Sequence, residues 1–166
     1  MIIEKFIPNC IEAGIGLITS VPDGYLTPLI EQAEKSAINH VSAAREEECF
    51  GIASGAAMSG KAPLIMMQNS GFLNSIGCFA TLCMNYGIPM VILVSHRGNL
   101  FDQNKYDTEK YRYFENFLQT ANVFNVSWYQ YKEEGNLIKM AYDRSLASRE
   151  PSIISLDFAP TDKAAC

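Results

Sequence analysis

Apolar residues along this chain come in short, dense runs separated by polar stretches, and their pattern alternates between strand-like and helix-like. "GLITSVP" (Gly16–Pro22) reads as a strand, followed by a helix from about Thr27 to Ser36. "INHVSA" is a second strand, and Glu46–Ser59 a helix whose alanines and glycines allow close packing. "APLIMMQN" is a third strand, buried on both faces because its apolar residues are continuous rather than alternating. A helix from about Gly71 to Tyr86 places Phe72, Ile76, Phe79 and Cys83 at core spacing. "PMVILVS" is a fourth buried strand. "HRGNLFDQNKYD" then breaks the pattern, polar and turn-rich, before a helical stretch near Glu109–Ala121. "FNVSWYQY" is a fifth strand, "EEGNLIKMAYDRSLAS" a helix, and "PSIISLDF" the closing strand.

Repeated strand–helix alternation predicts an α/β fold: a single three-layer domain over residues 1–166, its mainly parallel sheet covered by helices on both faces and joined by right-handed crossovers. No internal repeat, linker or low-complexity tract interrupts it. In such sheets ligands sit beyond the carboxyl ends of strands. The segments there are "SVPDG", "AREEE", "MQNSG" and "SHRGN". Surface connections are polar in any case, so their polarity alone assigns no function.

Composition narrows the classes of function. Hydrophobic content of 48% with 19% charged residues fits a globular chain, and no apolar run approaches the roughly 20 residues that span a bilayer. The N-terminus shows neither a basic leader nor a sustained apolar segment ending in a cleavage site, so a cytoplasmic protein with no membrane partner is expected. A net charge of −5 gives no basic footprint for nucleic acid. The five cysteines form no C-x-x-C pair and lie far from both histidines, so neither a disulfide framework nor a metal site is expected. No G-x-G-x-x-G follows a strand, and no Walker loop or serine elbow is present.

Each candidate residue has a structural reading beside a chemical one. Carboxylates such as Glu46, Glu47 and Glu48 favour the first turn of a helix through its exposed N–H groups. His96 and Arg97 follow a buried strand; the arginine suits a carboxylate, sulfonate or phosphonate, or else is a solvated loop residue beside a histidine that serves a local carbonyl. Asn69 or Ser70 can cap a helix, whereas Gln68 at the end of an apolar strand needs partners for its amide. Asp23 in "VPDG" has ordinary turn chemistry.

In order, "SVPDGYLTPLI", "REEECFGIASGAAMSGKAPLIMMQNSGFLNSIG" and "ILVSHRG" resemble the pyrimidine-binding domain of thiamin-diphosphate-dependent decarboxylases, above all those acting on sulfopyruvate and phosphonopyruvate. The resemblance runs from about Gly14 to Gly98, and "MQNSG-x-x-N" is its specific block. It implies a glutamate nine positions before the glycine of "IASGA", which is Glu46 counted back from Gly55. That carboxyl would hydrogen-bond the ring nitrogen of the cofactor's aminopyrimidine and favour its imino tautomer. Gln68, Asn69 and Ser70 would line the cofactor pocket. Asp23 and His96 would transfer protons, with Arg97 and His96 on the substrate. The segment "NLFDQNKYD" departs from the family pattern, so no substrate contact carries over from it.

The resemblance further implies thiamin diphosphate with Mg²⁺ bound by a partner, because the family's G-D-G motif does not occur in this sequence. The implied assembly is a heteromer, α2β2, with a β subunit carrying the diphosphate-binding domain and a small 2-oxo acid as substrate. The expected reaction is sulfopyruvate to sulfoacetaldehyde and carbon dioxide, with phosphonopyruvate decarboxylation as the alternative. A non-catalytic binding or regulatory module that kept the fold is the alternative of another class.

Overall fold

The structure, a computed structural model, describes residues 2–102, 105–129, 131 and 135–157. Six strands, β1 (Ile15–Ser20), β2 (Asn39–Ser42), β3 (Ala62–Gln68), β4 (Val91–His96), β5 (Asn125–Ser127) and β6 (Ser152–Asp157), form one sheet. Their order is β2-β1-β3-β4-β6-β5 and every pairing is parallel. The helices are α1 (Ile2–Glu12), α2 (Thr27–Lys35), α3 (Glu46–Met58), α4 (Asn69–Asn74), α5 (Ile76–Cys78), α6 (Thr108–Ala121) and α7 (Leu137–Ser148). This is the α/β architecture that the alternating pattern predicts.

The continuous apolar runs of β3 and β4 serve two cores at once. Leu64, Met66 and Leu93 pack with Phe6, Leu29 and Ile138 under α1, α2 and α7. Their neighbours Ile65, Met67, Ile92 and Val94 pack with Phe50, Phe72 and Phe114 under α3, α4 and α6. Because successive strand side chains point to opposite faces, only a run without polar interruption covers both. Phe72 touches Phe50, Phe79, Phe114 and Phe117, with ring centroids 5.1 to 6.0 Å away.

The chain leaves β1 toward the β2 edge and returns across β1 to β3, from which it proceeds the other way to β4. This reversal opens a crevice between the carboxyl ends of β1 and β3, the place where open α/β sheets take ligands. Asp23 follows β1 and Asn69 follows β3.

Several elements differ from the sequence expectation. Helix α1 was not expected; Phe6 and Cys10, one turn apart, are fully buried, but Pro8 inside the helix hides the signal. The helix expected from Gly71 to Tyr86 starts at Asn69, breaks at Ser75 and continues through α5 into a wide turn of π type, Phe79–Asn85. The Ser75 hydroxyl donates to the Gly71 carbonyl at 2.8 Å, a back-bond that bends helices. β5 keeps three residues of the longer run expected. The expected start of the seventh helix lies partly outside the described residues. Its described part begins after Asn136, whose side chain accepts from the Lys139 N–H and donates to the Asn9 carbonyl of α1. Likewise Phe158 of the closing strand and the end of the expected 1–166 domain lie outside the described residues.

Candidate functional site at the carboxyl edge of the sheet

Three adjacent glutamates open α3, and the structure gives each a different situation. Glu48 folds back so that its Oε2 accepts from the Ala44 N–H at 3.0 Å and the Arg45 N–H at 3.3 Å, closing the start of the helix. Glu47 accepts from Arg45 Nη2 at 3.3 Å; a backbone N–H and then the nearby Arg45 hold its carboxyl below the usual range. The side chain of Glu46, a half-buried residue, makes no hydrogen bond or ion pair with any described residue. Its side chain instead lies against Gly71 in the first turn of α4. A Cβ at position 71 would overlap the Cγ, Cδ and Oε1 atoms of Glu46. The bare backbone of Gly71 therefore seats a carboxyl whose polar atoms are not used by the fold.

The end of β3 is tied to β4 and closed on itself. Asn69, fully buried, donates through Nδ2 to the Arg97 carbonyl at 3.0 Å and accepts through Oδ1 from the Ser70 N–H at 3.1 Å. The Ser70 hydroxyl donates to the Gln68 side-chain oxygen. Here the partner that a Gln at the end of an apolar strand requires comes from two residues along.

Asp23 arches over the end of β3. Its Oδ1 accepts from the Tyr25 and Leu26 N–H groups at 3.1 and 3.2 Å, which is the turn chemistry, and from the Ser95 hydroxyl of β4 at 3.1 Å, which is not. Its Oδ2 lies 4.0 Å from Arg97 Nη1. The Arg97 fork is engaged by Asp102: Nε and Nη2 donate to the two carboxylate oxygens at 2.8 and 3.2 Å. That hydrogen bonding outweighs burial and, with the charges of Asp102, Asp23 and Asp107, raises the guanidinium above its already high value.

His96 sits apart. It is 1% exposed, its ring stacked on Tyr111 at 4.0 Å and edge-on to Phe114 at 5.0 Å. Nδ1 is 2.9 Å from Asp157 Oδ1 and 3.6 Å from Glu115 Oε1. Asp157 in turn accepts from the Ser127 hydroxyl at 2.6 Å. Burial pushes the Asp157 carboxyl up, but the hydrogen bonds from His96 and Ser127 and the charge of His96 prevail and hold it below its usual value. Nε2 is buried without a hydrogen-bond partner among the described residues. No hydrogen bond or ring contact among the described residues links His96 to Glu46, Asp23 or Arg97. Alternation along β4 explains this: Ser95 turns to Asp23 on one face, and His96 goes under α6 on the other.

Glu46, Gln68, Asn69, Ser70, Asp23 and Arg97 thus gather at one edge of the sheet, with His96 set back behind Tyr111. Gly71, Ser95, Asp102 and Asp157 are additional. Ser95 and Asp157 carried a signal, as polar residues at the ends of apolar strands; Gly71 and Asp102 carried none that sequence spacing could reveal.

Residues 4–111 match the family described as thiamine pyrophosphate enzyme, N-terminal TPP binding domain. The chain belongs to this family. Every residue of the gathered edge falls within the matched span. The chain is 32% identical over 148 residues to the sulfopyruvate decarboxylase subunit alpha of Methanococcus maripaludis, covering 89% of each chain. It is 37% identical over 132 residues to the subunit of the same name from Methanocaldococcus jannaschii, covering 78% of each. Among solved structures, benzoylformate decarboxylase from Polynucleobacter necessarius superposes with a TM-score of 0.62 at 18% identity, over 94% of this chain and 29% of that one. That likeness is one of fold.

For a thiamine pyrophosphate enzyme domain the donor set fits. A carboxyl with no partner of its own, seated by a glycine at the switch-point edge, suits a hydrogen bond to a ring nitrogen of the cofactor. Among the described residues no group of three His, Cys, Asp or Glu side chains is placed to hold a metal ion. Also among them, no helix is long and apolar enough to cross a membrane.

Proposed function

We propose that this chain is the cofactor-activating subunit of a heteromeric thiamin-diphosphate-dependent decarboxylase that converts sulfopyruvate to sulfoacetaldehyde and carbon dioxide. One observation carries the reading: of three adjacent glutamates, only the side chain of Glu46 makes no hydrogen bond or ion pair among the described residues, and it lies against Gly71 just past β3. The relatives matched over most of the chain are named for sulfopyruvate, which favours this substrate over phosphonopyruvate. Their designation as subunit alpha favours a separate partner, and the sequence contains no G-D-G. The partner in this reading is a β subunit holding the diphosphate and Mg²⁺, in an α2β2 assembly.

In this reading Glu46 holds the aminopyrimidine of thiamin diphosphate and sets its tautomer. Gln68, Asn69 and Ser70 frame the same pocket. When bound, the cofactor supplies the electron sink for the pair left behind by departing carbon dioxide. Asp23, whose Oδ1 is anchored by two backbone N–H groups and Ser95, is the first proton-transfer group in this reading, through Oδ2. Arg97 binds the anionic end of the substrate. His96 is the second proton-transfer group: Asp157 fixes Nδ1, leaving Nε2 as the exchanging atom, and the Tyr111 ring must shift to admit substrate.

The test combines this chain with a candidate β subunit, thiamin diphosphate and Mg²⁺, and measures carbon dioxide release from sulfopyruvate, phosphonopyruvate and pyruvate. Sulfopyruvate should be preferred. Glu46→Gln should keep the assembly intact and lower turnover by roughly 10²-fold or more. Near-wild-type turnover in that variant rejects the assignment.

A further inference from the structure

Among the described residues, three donors converge on the Asp102 carboxylate. Arg97 Nε and the Gly98 N–H both reach its Oδ2 at 2.8 Å, and Arg97 Nη2 reaches Oδ1 at 3.2 Å. A guanidinium edge beside a backbone N–H is a cradle for a planar or tetrahedral oxyanion, and here the chain supplies the oxyanion itself. The Asp102 side chain is only 2% exposed, so the occupant is enclosed.

The backbone around it is built to present this cradle. Gly98 has φ +98°, and a Cβ there would run into the Asp107 carbonyl, so only glycine fits and its N–H stays aimed at Asp102. Asn99 Oδ1 accepts from the Phe101 and Asp102 N–H groups at 3.0 and 3.1 Å, holding Asp102 at the end of a tight turn. The tip of that turn, Leu100 and Phe101, is exposed. Asp102 therefore reaches the cradle from a short surface turn, not from the core.

Charge decides what this means for an anionic substrate. Asp102 in the fork and Asp23 at 4.0 Å already place two carboxylates around one guanidinium. An incoming sulfonate would meet an occupied fork as long as Asp102 stays. If the Asp102 carboxylate leaves, the same three donors face the sulfonate oxygens.

We propose that Asp102 is an internal anion occupying the substrate's anion site, and that the sulfonate of the substrate displaces it from Arg97 and Gly98. The inference rests on the reading of Arg97 as the group that binds the anionic end of the substrate. It makes Asp102 a specificity-determining residue: a substrate with a neutral tail, such as pyruvate, cannot drive the exchange.

The test uses the reconstituted assembly with cofactor and Mg²⁺, and sulfoacetate as a non-reacting sulfonate. In the wild type, the Arg97 Nε–H resonance, assigned by its loss in Arg97→Lys, should shift saturably on titration with sulfoacetate but not with neutral acetamide at equal concentration. Asp102→Asn should bind sulfoacetate about tenfold more tightly, and Asp102→Ala should change in the same direction. An unmoved Nε–H signal, or sulfoacetate affinity unchanged or weaker in the variants, overturns the exchange; weaker binding would mean that Asp102 only positions the arginine. Failure of the function itself would show differently, as no carbon dioxide from any 2-oxo acid, and the wild-type Nε–H readout decides the exchange in either case.

Discussion

At the scale of single residues, the three glutamates at the start of α3 separate by geometry alone. All three gain from the helix N-terminus, yet Glu48 closes the turn, Glu47 pairs with Arg45, and Glu46 leans on Gly71 with its oxygens unspent. The family resemblance, through its spacing to a downstream glycine, singled out Glu46, whereas residue type could not have done so. Gly71, which seats it, lies on a different element and was invisible until the chain folded. Gly71→Ala tests the seating. The added methyl meets the mobile end of a glutamate, and alanine favours a helix by about 1 kcal/mol, so the thermal midpoint should not fall. Carbon dioxide release by the assembled enzyme should nevertheless drop, by up to about 10²-fold, as Glu46 is pushed aside. Full turnover in a stable variant would show that this contact is incidental.

At the scale of elements, β4 shows how one strand serves two places. Its alternation sends Ser95 to Asp23 and His96 to Asp157, and the second pair ties β4 to β6 at their carboxyl ends. The Asp157 carboxyl is held below its usual value of 3.8, so its pairing stabilises the fold at pH above that value and is lost as pH falls through the lowered one. Asp157→Asn should be less stable than wild type near neutral pH, and the gap should close in the acid range; urea unfolding across pH measures it. A gap that persists at low pH would indicate lost packing instead of lost charge. On the same face, Phe72 lies amid four other phenylalanines, so Phe72→Ala should cost about 3–5 kcal/mol in denaturant unfolding. The strands and most helices were legible as periodic runs. α1 was not, because Pro8 contradicts local helix rules, nor was the break at Ser75, which depends on a hydroxyl finding a carbonyl one turn back.

At the scale of the whole molecule, the order β2-β1-β3-β4-β6-β5 places the reversal between β1 and β3, and the candidate residues collect at that edge. The site so formed offers a carboxyl and an arginine, but among the described residues no metal-holding group. The expected outcome is that this chain with thiamin diphosphate and Mg²⁺ alone releases no carbon dioxide from sulfopyruvate, and that release begins on adding a β subunit. Activity of the isolated chain would overturn the partner requirement.

What the sequence by itself determined was the layered α/β plan and which residue types stand after which strand, because hydrophobic periodicity and strand ends are local properties of the chain. Only tertiary structure decided which of those residues meet. Strand order put Asp23 beside Ser95 and Arg97, alternation turned His96 away beneath Tyr111, and a turn closed Asp102 onto Arg97. Those outcomes depend on distances between segments far apart in the chain or on the path of a single turn, which no pattern of neighbours encodes.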